Sequence, residues 1–271
     1  MKLIYNIERK GNKMIDIKSL YSKGIFEDNR DKLLEMSKIS DTKENKKLIR
    51  CEKISINGIY KIELICKQNS VHIYKSDFTE MLLCEYKNDK SVNYEKPQCK
   101  YIDSKIKVEY GEDTNSFFET SENSTIGGIV EIYLPETYLG GLEISTSTGN
   151  IDVCFSFELL DLTAISINGN IVAGAGKCKN LSFTSDNGKI IFKDIKAGNI
   201  LITTNHGKIN FRSLIGESVC VTTDDGKINF RSIEAEEVLV TSDSGNINYT
   251  FIHSNKETIN TDIGIITHQE L

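Results

Sequence analysis

Cationic side chains recur at a fixed interval in the C-terminal half of the chain. Three lysines lie 19 residues apart, and a second set of cations lies four residues after each of them. Together these residues are Lys189, Lys193, Lys208, Arg212, Lys227 and Arg231. If equal positions of the repeat stack, the six cations line one face at intervals of about 4.8 Å. Such a face could bind an anionic polymer or lipid headgroups. The alternative is a solvated face whose lysines protect the β surface from aggregation.

A column of side-chain oxygen atoms accompanies these cations, two residues before five glycines that recur every 19 residues. Its members are Asp186, Asn205, Asp224, Asp243 and Asp262. Carboxylate and amide oxygens are calcium ligands, but Asp and Asn are also common turn formers. The calcium-binding pattern G-G-x-G-x-D is absent, so the turn-forming interpretation is favoured and no metal site is predicted. The same aspartates could also neutralise the neighbouring cations.

The remaining reactive residue types show no catalytic pattern. The four histidines, at 72, 206, 253 and 268, have no ligand spacing, and the seven cysteines contain no C-x-x-C. Phosphate-binding, dinucleotide-binding and nucleophile-elbow motifs are absent. We therefore expect a protein without cofactor or catalytic residues. The rival hypothesis is a carbohydrate-active β-helix enzyme, which would need clustered carboxylates on one outer face.

Composition limits the partners and the compartment. The formal charge is -6 over 271 residues, so nucleic-acid binding is not expected. An odd number of cysteines without paired spacing is typical of a reducing compartment. The sequence shows no signal peptide and no apolar stretch of about 20 residues. It therefore predicts a cytoplasmic location, with surface association left open.

A glycine recurs through the same region and indicates the element that carries the cations. The glycines are Gly149, Gly169, Gly188, Gly207, Gly226, Gly245 and Gly264, with one gap of 20 residues and five of 19. A fixed period of this length predicts stacked repeats. Each glycine except Gly264 follows Asn, Asp, His, Ser or Thr at a turn. We therefore expect it to adopt a positive φ, which glycine does at little cost.

Columns of like residues surround these glycines. Isoleucine stands two residues after every glycine, and a mostly aromatic column stands four after. Ser or Thr stands three before, where its hydroxyl can bond the backbone as the strand enters the turn. Two architectures satisfy the pattern: an antiparallel meander with hairpin tips at the glycines, and a solenoid in which equal positions stack. Like residues in each column favour the solenoid. The fold class predicted is all-β, a single-stranded, β-helix-like solenoid with coils of about 19 residues.

The N-terminal part of the chain has a different composition. Residues 1–50 are rich in charged residues, and 28–39 carry a weak helix pattern after an Asp or Asn cap. We predict a cap or extension over 1–50, partly helical, which would cover one end of the stack. Alternating apolar residues begin near residue 51. We assign 51–271 to the solenoid, with the regular repeats at 142–268.

The segment VEIYLPETYLGGLEISTSTGNIDV, followed by S/T-x-x-G-x-I units, resembles the bacterial "putative adhesin" family of β-strand repeats. The resemblance covers about residues 51–271 and implies a β-solenoid without catalytic residues. It also implies a surface location, from which this chain departs by its missing signal and its seven cysteines. We expect a non-catalytic scaffold or binding protein, envelope-associated or adhesin-like. The alternatives are the β-helix enzyme and an intracellular protein-interaction module, with oligomers formed through a solenoid end.

Overall fold

The computed structural model describes residues 4–7, 46–88, 97–110 and 128–269. All regular secondary structure within these ranges is β-strand. The helix predicted at 28–39 lies outside the described residues. No helix in the described ranges is long and apolar enough to cross a membrane. The strands are β1 (Ile4–Ile7), β2 (Lys46–Ile54), β3 (Lys61–Cys66), β4 (Ser70–Ser76), β5 (Met81–Asn88), β6 (Gln98–Ile102), β7 (Lys105–Tyr110), β8 (Ile129–Pro135), β9 (Gly141–Thr146), β10 (Ile151–Val153), β11 (Phe157–Glu158), β12 (Asp161–Ser166), β13 (Ile171–Ala173), β14 (Gly176–Ser185), β15 (Ile190–Thr204), β16 (Ile209–Thr223), β17 (Ile228–Ser242), β18 (Ile247–Tyr249), β19 (Phe251–Thr261) and β20 (Ile266–His268).

The repeats form a solenoid of about seven turns. Strands β15, β16 and β17 pair in parallel over nearly their whole length, and equal positions of the repeat face each other. Ile190 pairs with Ile209, which pairs with Ile228. The solenoid prediction is confirmed, and the antiparallel meander is wrong for the repeats.

The interior is built from columns of identical or similar side chains. The isoleucine column is fully buried from Ile151 to Ile247. Beside it Phe192, Phe211 and Phe230 stack with ring centroids 4.9–5.0 Å apart and nearly parallel planes. Tyr249 and His268 continue this stack. Alternation of inward and outward residues therefore places one ring above another in the coils from Phe192 to His268.

The predicted positive φ of the repeat glycines is wrong. Among the described residues Gly58 is the one glycine with positive φ. The repeat glycines are needed instead because consecutive turns approach closely. A Cβ on Gly226 would lie well within 3.0 Å of the Gly207 carbonyl oxygen, and the other repeat glycines face the preceding turn in the same way. Glycine permits this contact because it has no side chain.

A buried hydroxyl joins each glycine turn to the one before it. Within a turn, the glycine N–H donates to the Ser or Thr Oγ three residues earlier, at 2.8–3.0 Å in all seven repeats. That hydroxyl donates to a carbonyl of the preceding coil, which from Ser166 to Thr261 is the glycine carbonyl, at 2.9–3.4 Å. The predicted hydroxyl–backbone bond is therefore confirmed, and it links the coils into one ladder.

The N-terminal coils stack in an order that differs from their order in the chain. Strands β3 and β4 pair in parallel with β9 and β10 on one side and with β7 and β8 on the other. The coil of residues 61–76 therefore lies between strands β7 and β8 on one side and strands β9 and β10 on the other. We call it the inserted coil.

Antiparallel strands cover the N-terminal end of the stack. β6 pairs with β7, β5 pairs with β8, β2 pairs with β5, and β1 pairs with β2, all antiparallel. A stack of coils needs its ends covered. In the described residues, the cover of this end consists of β-strands. The predicted division between 1–50 and 51–271 falls inside β2, and it stays a prediction.

We predict that Gly226→Ala destabilises the protein by more than about 2 kcal/mol, because the new Cβ must push neighbouring coils apart. Gly226→Asn should cost at least as much. Asp225→Ala, at an exposed turn position, should change stability by less than about 0.5 kcal/mol. Denaturant unfolding measures all three. A smaller cost for Asn than for Ala would restore positive φ as the reason for glycine, because Asn tolerates that conformation.

Thr223→Val should destabilise the protein by about 1–3 kcal/mol, because it removes the acceptor of the buried Gly226 N–H at nearly constant volume. Thr222→Val is the matched control, since Thr222 points outward one residue earlier. The control should be neutral or slightly stabilising. Equal chemical-denaturation midpoints for the two variants would show that the hydroxyl ladder contributes nothing.

Candidate functional site: the cationic face

The structure brings the six predicted cations onto one outer surface, which we call the cationic face. It consists of Lys189, Lys193, Lys208, Arg212, Lys227 and Arg231, all of them exposed. Ile190 and Phe192 point inward, so the residues that alternate with them point outward. Backbone bonds from Ile190 to the Lys208 carbonyl and from Ile209 to the Lys227 carbonyl set the three lysines in adjacent coils.

The cationic face has two rows of charge with a polar strip between them. The rows are four residues apart along the strand, or about 13 Å. The strip holds Ile191 and an amide ladder in which Asn248 donates to Asn229 and Asn229 donates to Asn210, at 2.8 and 2.7 Å. These amides hydrogen-bond to each other, which fixes the asparagine side chains of the strip between the rows.

One of the six cations is paired. Arg212 donates through Nε to Asp194 at 2.5 Å and forms an ion pair with it. Within the described part of the chain, the other five cations form no ion pair. Like charges one coil apart repel each other, so these rows would be stabilised by an external anion.

Among the described residues, the turn acids form no ion pair with the lysines of the cationic face. Asp186 accepts a hydrogen bond from Asn205 in the next coil, and Asp225 bonds the His206 ring at 2.8 Å. These bonds run along the turn column, as expected for turn-forming residues. In the described residues no group of three or more His, Cys, Asp or Glu could hold a metal ion.

A groove adjoins the cationic face, and the sequence reasoning missed it. Its volume is about 490 Å³, and Ala175 and Gly176 are among the residues that line it. The ring of Phe157 occupies the space that a side chain at Gly176 would need. Lys177 and Lys196 lie side by side on its wall. The sequence did contain a signal for the groove. In this coil Ala173 stands where the next coil has Phe192, and Gly176 stands where the next coil has Ile195.

The same sheet continues toward the N-terminal end with partly buried titratable residues. Asp152 lies 3.3 Å from the His72 ring; burial raises the pKa of this carboxyl, and the histidine opposes the shift. Tyr133 donates to Glu131 at 2.9 Å and stacks on Tyr74. Burial, followed by the charge of Glu131, raises the pKa of Tyr133. Register between strands brings His72 to Asp152 and Tyr74 to Tyr133, and no sequence spacing indicated these two pairs.

The cysteine thiols near the repeats are poor nucleophiles. Burial raises the pKa of Cys154 and Cys220, and it raises the pKa of Cys178 to about 12. Since the thiolate is the reactive form, these residues are largely unreactive at neutral pH. Cys220 points outward and is half-buried, as its position between Val219 and Val221 predicts.

The last coil exposes apolar side chains. Ile263, Ile265, Ile266 and Phe251 are 81, 65, 42 and 50% exposed. β19 pairs with β17, and no other described strand pairs in register along it. This edge presents backbone donors and acceptors together with an apolar surface.

Comparison with known proteins agrees with this fold. The profile of the Toastrack DUF4097 family matches residues 59–268. No curated protein matches the chain. A "putative adhesin" from Bacteroides fragilis is similar at 15% identity, with a TM-score of 0.52 over 82% of this chain and 96% of that one.

Two further solved structures are similar in the same way. A "putative adhesin" from Parabacteroides merdae is 14% identical, with a TM-score of 0.48 over 82% of this chain and 95% of the other. A "putative lipid binding protein" from Parabacteroides distasonis is 13% identical, with a TM-score of 0.35 over 81 and 96%. At these identities only the Bacteroides likeness carries an argument, and that argument concerns the fold. Because the family profile spans more than half of the sequence, the chain belongs to the Toastrack DUF4097 family.

Proposed function

We propose that the protein is a non-catalytic scaffold that binds a polyanion along the cationic face. The observation that carries this proposal is the pair of exposed cation rows, in which five of six side chains have no ion pair among the described residues. A polymer with repeated phosphate or carboxylate groups would meet successive cations at about 4.8 Å along each row. Each contact would also relieve repulsion between neighbouring coils.

The face suits an extended ligand better than a small one. Its charges lie in straight rows on a surface stiffened by the amide ladder and by the buried ring stack. A rigid surface loses little entropy on binding. Adhesion to an anionic envelope polymer would use this face, in keeping with the name of the Bacteroides relative.

Charge reversal tests this function. Lys189→Glu, Lys208→Glu and Lys227→Glu in one chain should weaken binding to polyphosphate or polygalacturonate by roughly 100-fold, at about 1 kcal/mol for each lost cation. Isothermal titration at low salt measures the affinity, which should fall as salt increases. Neutral dextran should not bind.

The matched control is Lys100→Glu, Lys179→Glu and Lys256→Glu, which changes the net charge equally at exposed positions off the cationic face. Its affinity should stay within about twofold of the unaltered protein. Vesicles of phosphatidylglycerol, compared with phosphatidylcholine, distinguish a membrane from a soluble polymer. The proposal fails if no polyanion binds, or if both triple variants weaken binding equally.

A second candidate function, a protein-interaction module, is favoured by the apolar last coil. We infer that two copies associate through this coil, which would bury Ile263 and Ile265 and satisfy the β19 edge. Ile263→Lys with Ile265→Lys should abolish concentration-dependent dimers in sedimentation experiments. Leu139→Lys with Leu160→Lys, at two other exposed leucines, should leave them intact. A monomer at every concentration would refute this association.

A further inference from the structure

Two cysteines face each other across the antiparallel strands that cover the N-terminal end. Cys51 on β2 is the register partner of Cys84 on β5. Their Sγ atoms are 2.7 Å apart. Antiparallel partners have Cα atoms about 4.5–5.5 Å apart, and a disulfide spans Cα distances of about 4.4–6.8 Å. The backbone therefore holds both thiols in place for a bond without moving a strand.

An apolar cluster that is separate from the main core surrounds this pair. Leu48, Tyr86 and Ile129 pack with Cys84, and Cys51 and Tyr133 pack against them. Cys84 is buried and Cys51 is only partly buried. Cys51 is therefore the more accessible of the two residues to a small oxidant.

We propose that Cys51 and Cys84 form a reversible disulfide that locks the inserted coil into the stack. Oxidised glutathione, a small disulfide, is a sufficient oxidant. The Cys51 thiolate attacks it, forms a mixed disulfide and releases one glutathione thiolate. The Cys84 thiolate then attacks the Cys51 sulfur and releases the second. Two protein thiols lose their protons and two electrons, and one glutathione disulfide becomes two thiols.

The consequence follows from what the bond encloses. The two cysteines are 33 residues apart, and the chain between them contains β3 and β4. These strands form the inserted coil, which contacts coils that come later in the sequence on both of its faces. Closing this loop reduces the freedom of the unfolded chain. The bond also ties β2 to β5, so the covering strands and the inserted coil stay together.

The test uses the full chain, equilibrated in glutathione buffers from fully reduced to fully oxidised. Peptide mapping after thiol blocking should show a Cys51–Cys84 linked peptide, lighter than the two free peptides by two hydrogen atoms. Adding a reductant to the oxidised protein should lower the thermal unfolding midpoint by roughly 5–15 °C. Cys51→Ser and Cys84→Ser should abolish both the linked peptide and the shift.

Cys220→Ser is the matched control, a half-buried cysteine remote from β2 and β5, and it should retain both effects. Circular dichroism under reducing conditions checks that each variant folds. If Cys84→Ser does not fold, the linked peptide and the midpoint shift are compared between the unaltered protein and Cys51→Ser. The proposal is overturned if the pair stays reduced in buffers that oxidise the urea-unfolded chain. It is also overturned if the bond forms and the midpoint does not change on reduction.

Discussion

The rest of the structure depends on the close approach of consecutive glycine turns. In each turn a buried Ser or Thr hydroxyl accepts from its own glycine N–H and donates to a carbonyl of the preceding coil. To make both hydrogen bonds, the hydroxyl must lie at the glycine turn, within reach of the carbonyl of the preceding coil. A residue with a Cβ at the glycine would separate the turns and break the second bond. The ladder therefore fixes the register of every coil against the next.

Fixed register has opposite effects inside and outside the solenoid. Inside, it places phenylalanine on phenylalanine and isoleucine on isoleucine, so one favourable contact repeats through the stack. Outside, it places lysine beside lysine, which is unfavourable without a partner. In other columns the chain avoids this cost: Asn199 pairs with Asn180, and His206 pairs with Asp225. On the cationic face only Arg212 has an ion pair among the described residues, which is why the face is the functional candidate.

The sequence predicted the part of the fold that depends on residues one repeat apart. Parallel stacking, the inward columns and the hydroxyl bond all follow from the positions of Ile228, Phe230 and Thr223 relative to Gly226. Positive φ was the wrong reason for that glycine. A sequence shows that a side chain is absent, but it does not show which neighbouring atoms occupy the space. The groove beside Phe157 was missed for a related reason. It arises where the repeat is broken, and its walls come from several coils.

The stacking order of the N-terminal coils could not be predicted from the sequence, because their order in space differs from their order in the chain. A solenoid stabilises each coil mainly through its two neighbours. The regular coils find those neighbours 19 or 20 residues away, so they can form locally. The inserted coil pairs with β7, β8, β9 and β10, and all four strands follow it in the chain. Its loop-closure cost is correspondingly larger. The antiparallel cover and the opposed cysteines lie at this junction, where local repetition contributes least and an additional connection contributes most.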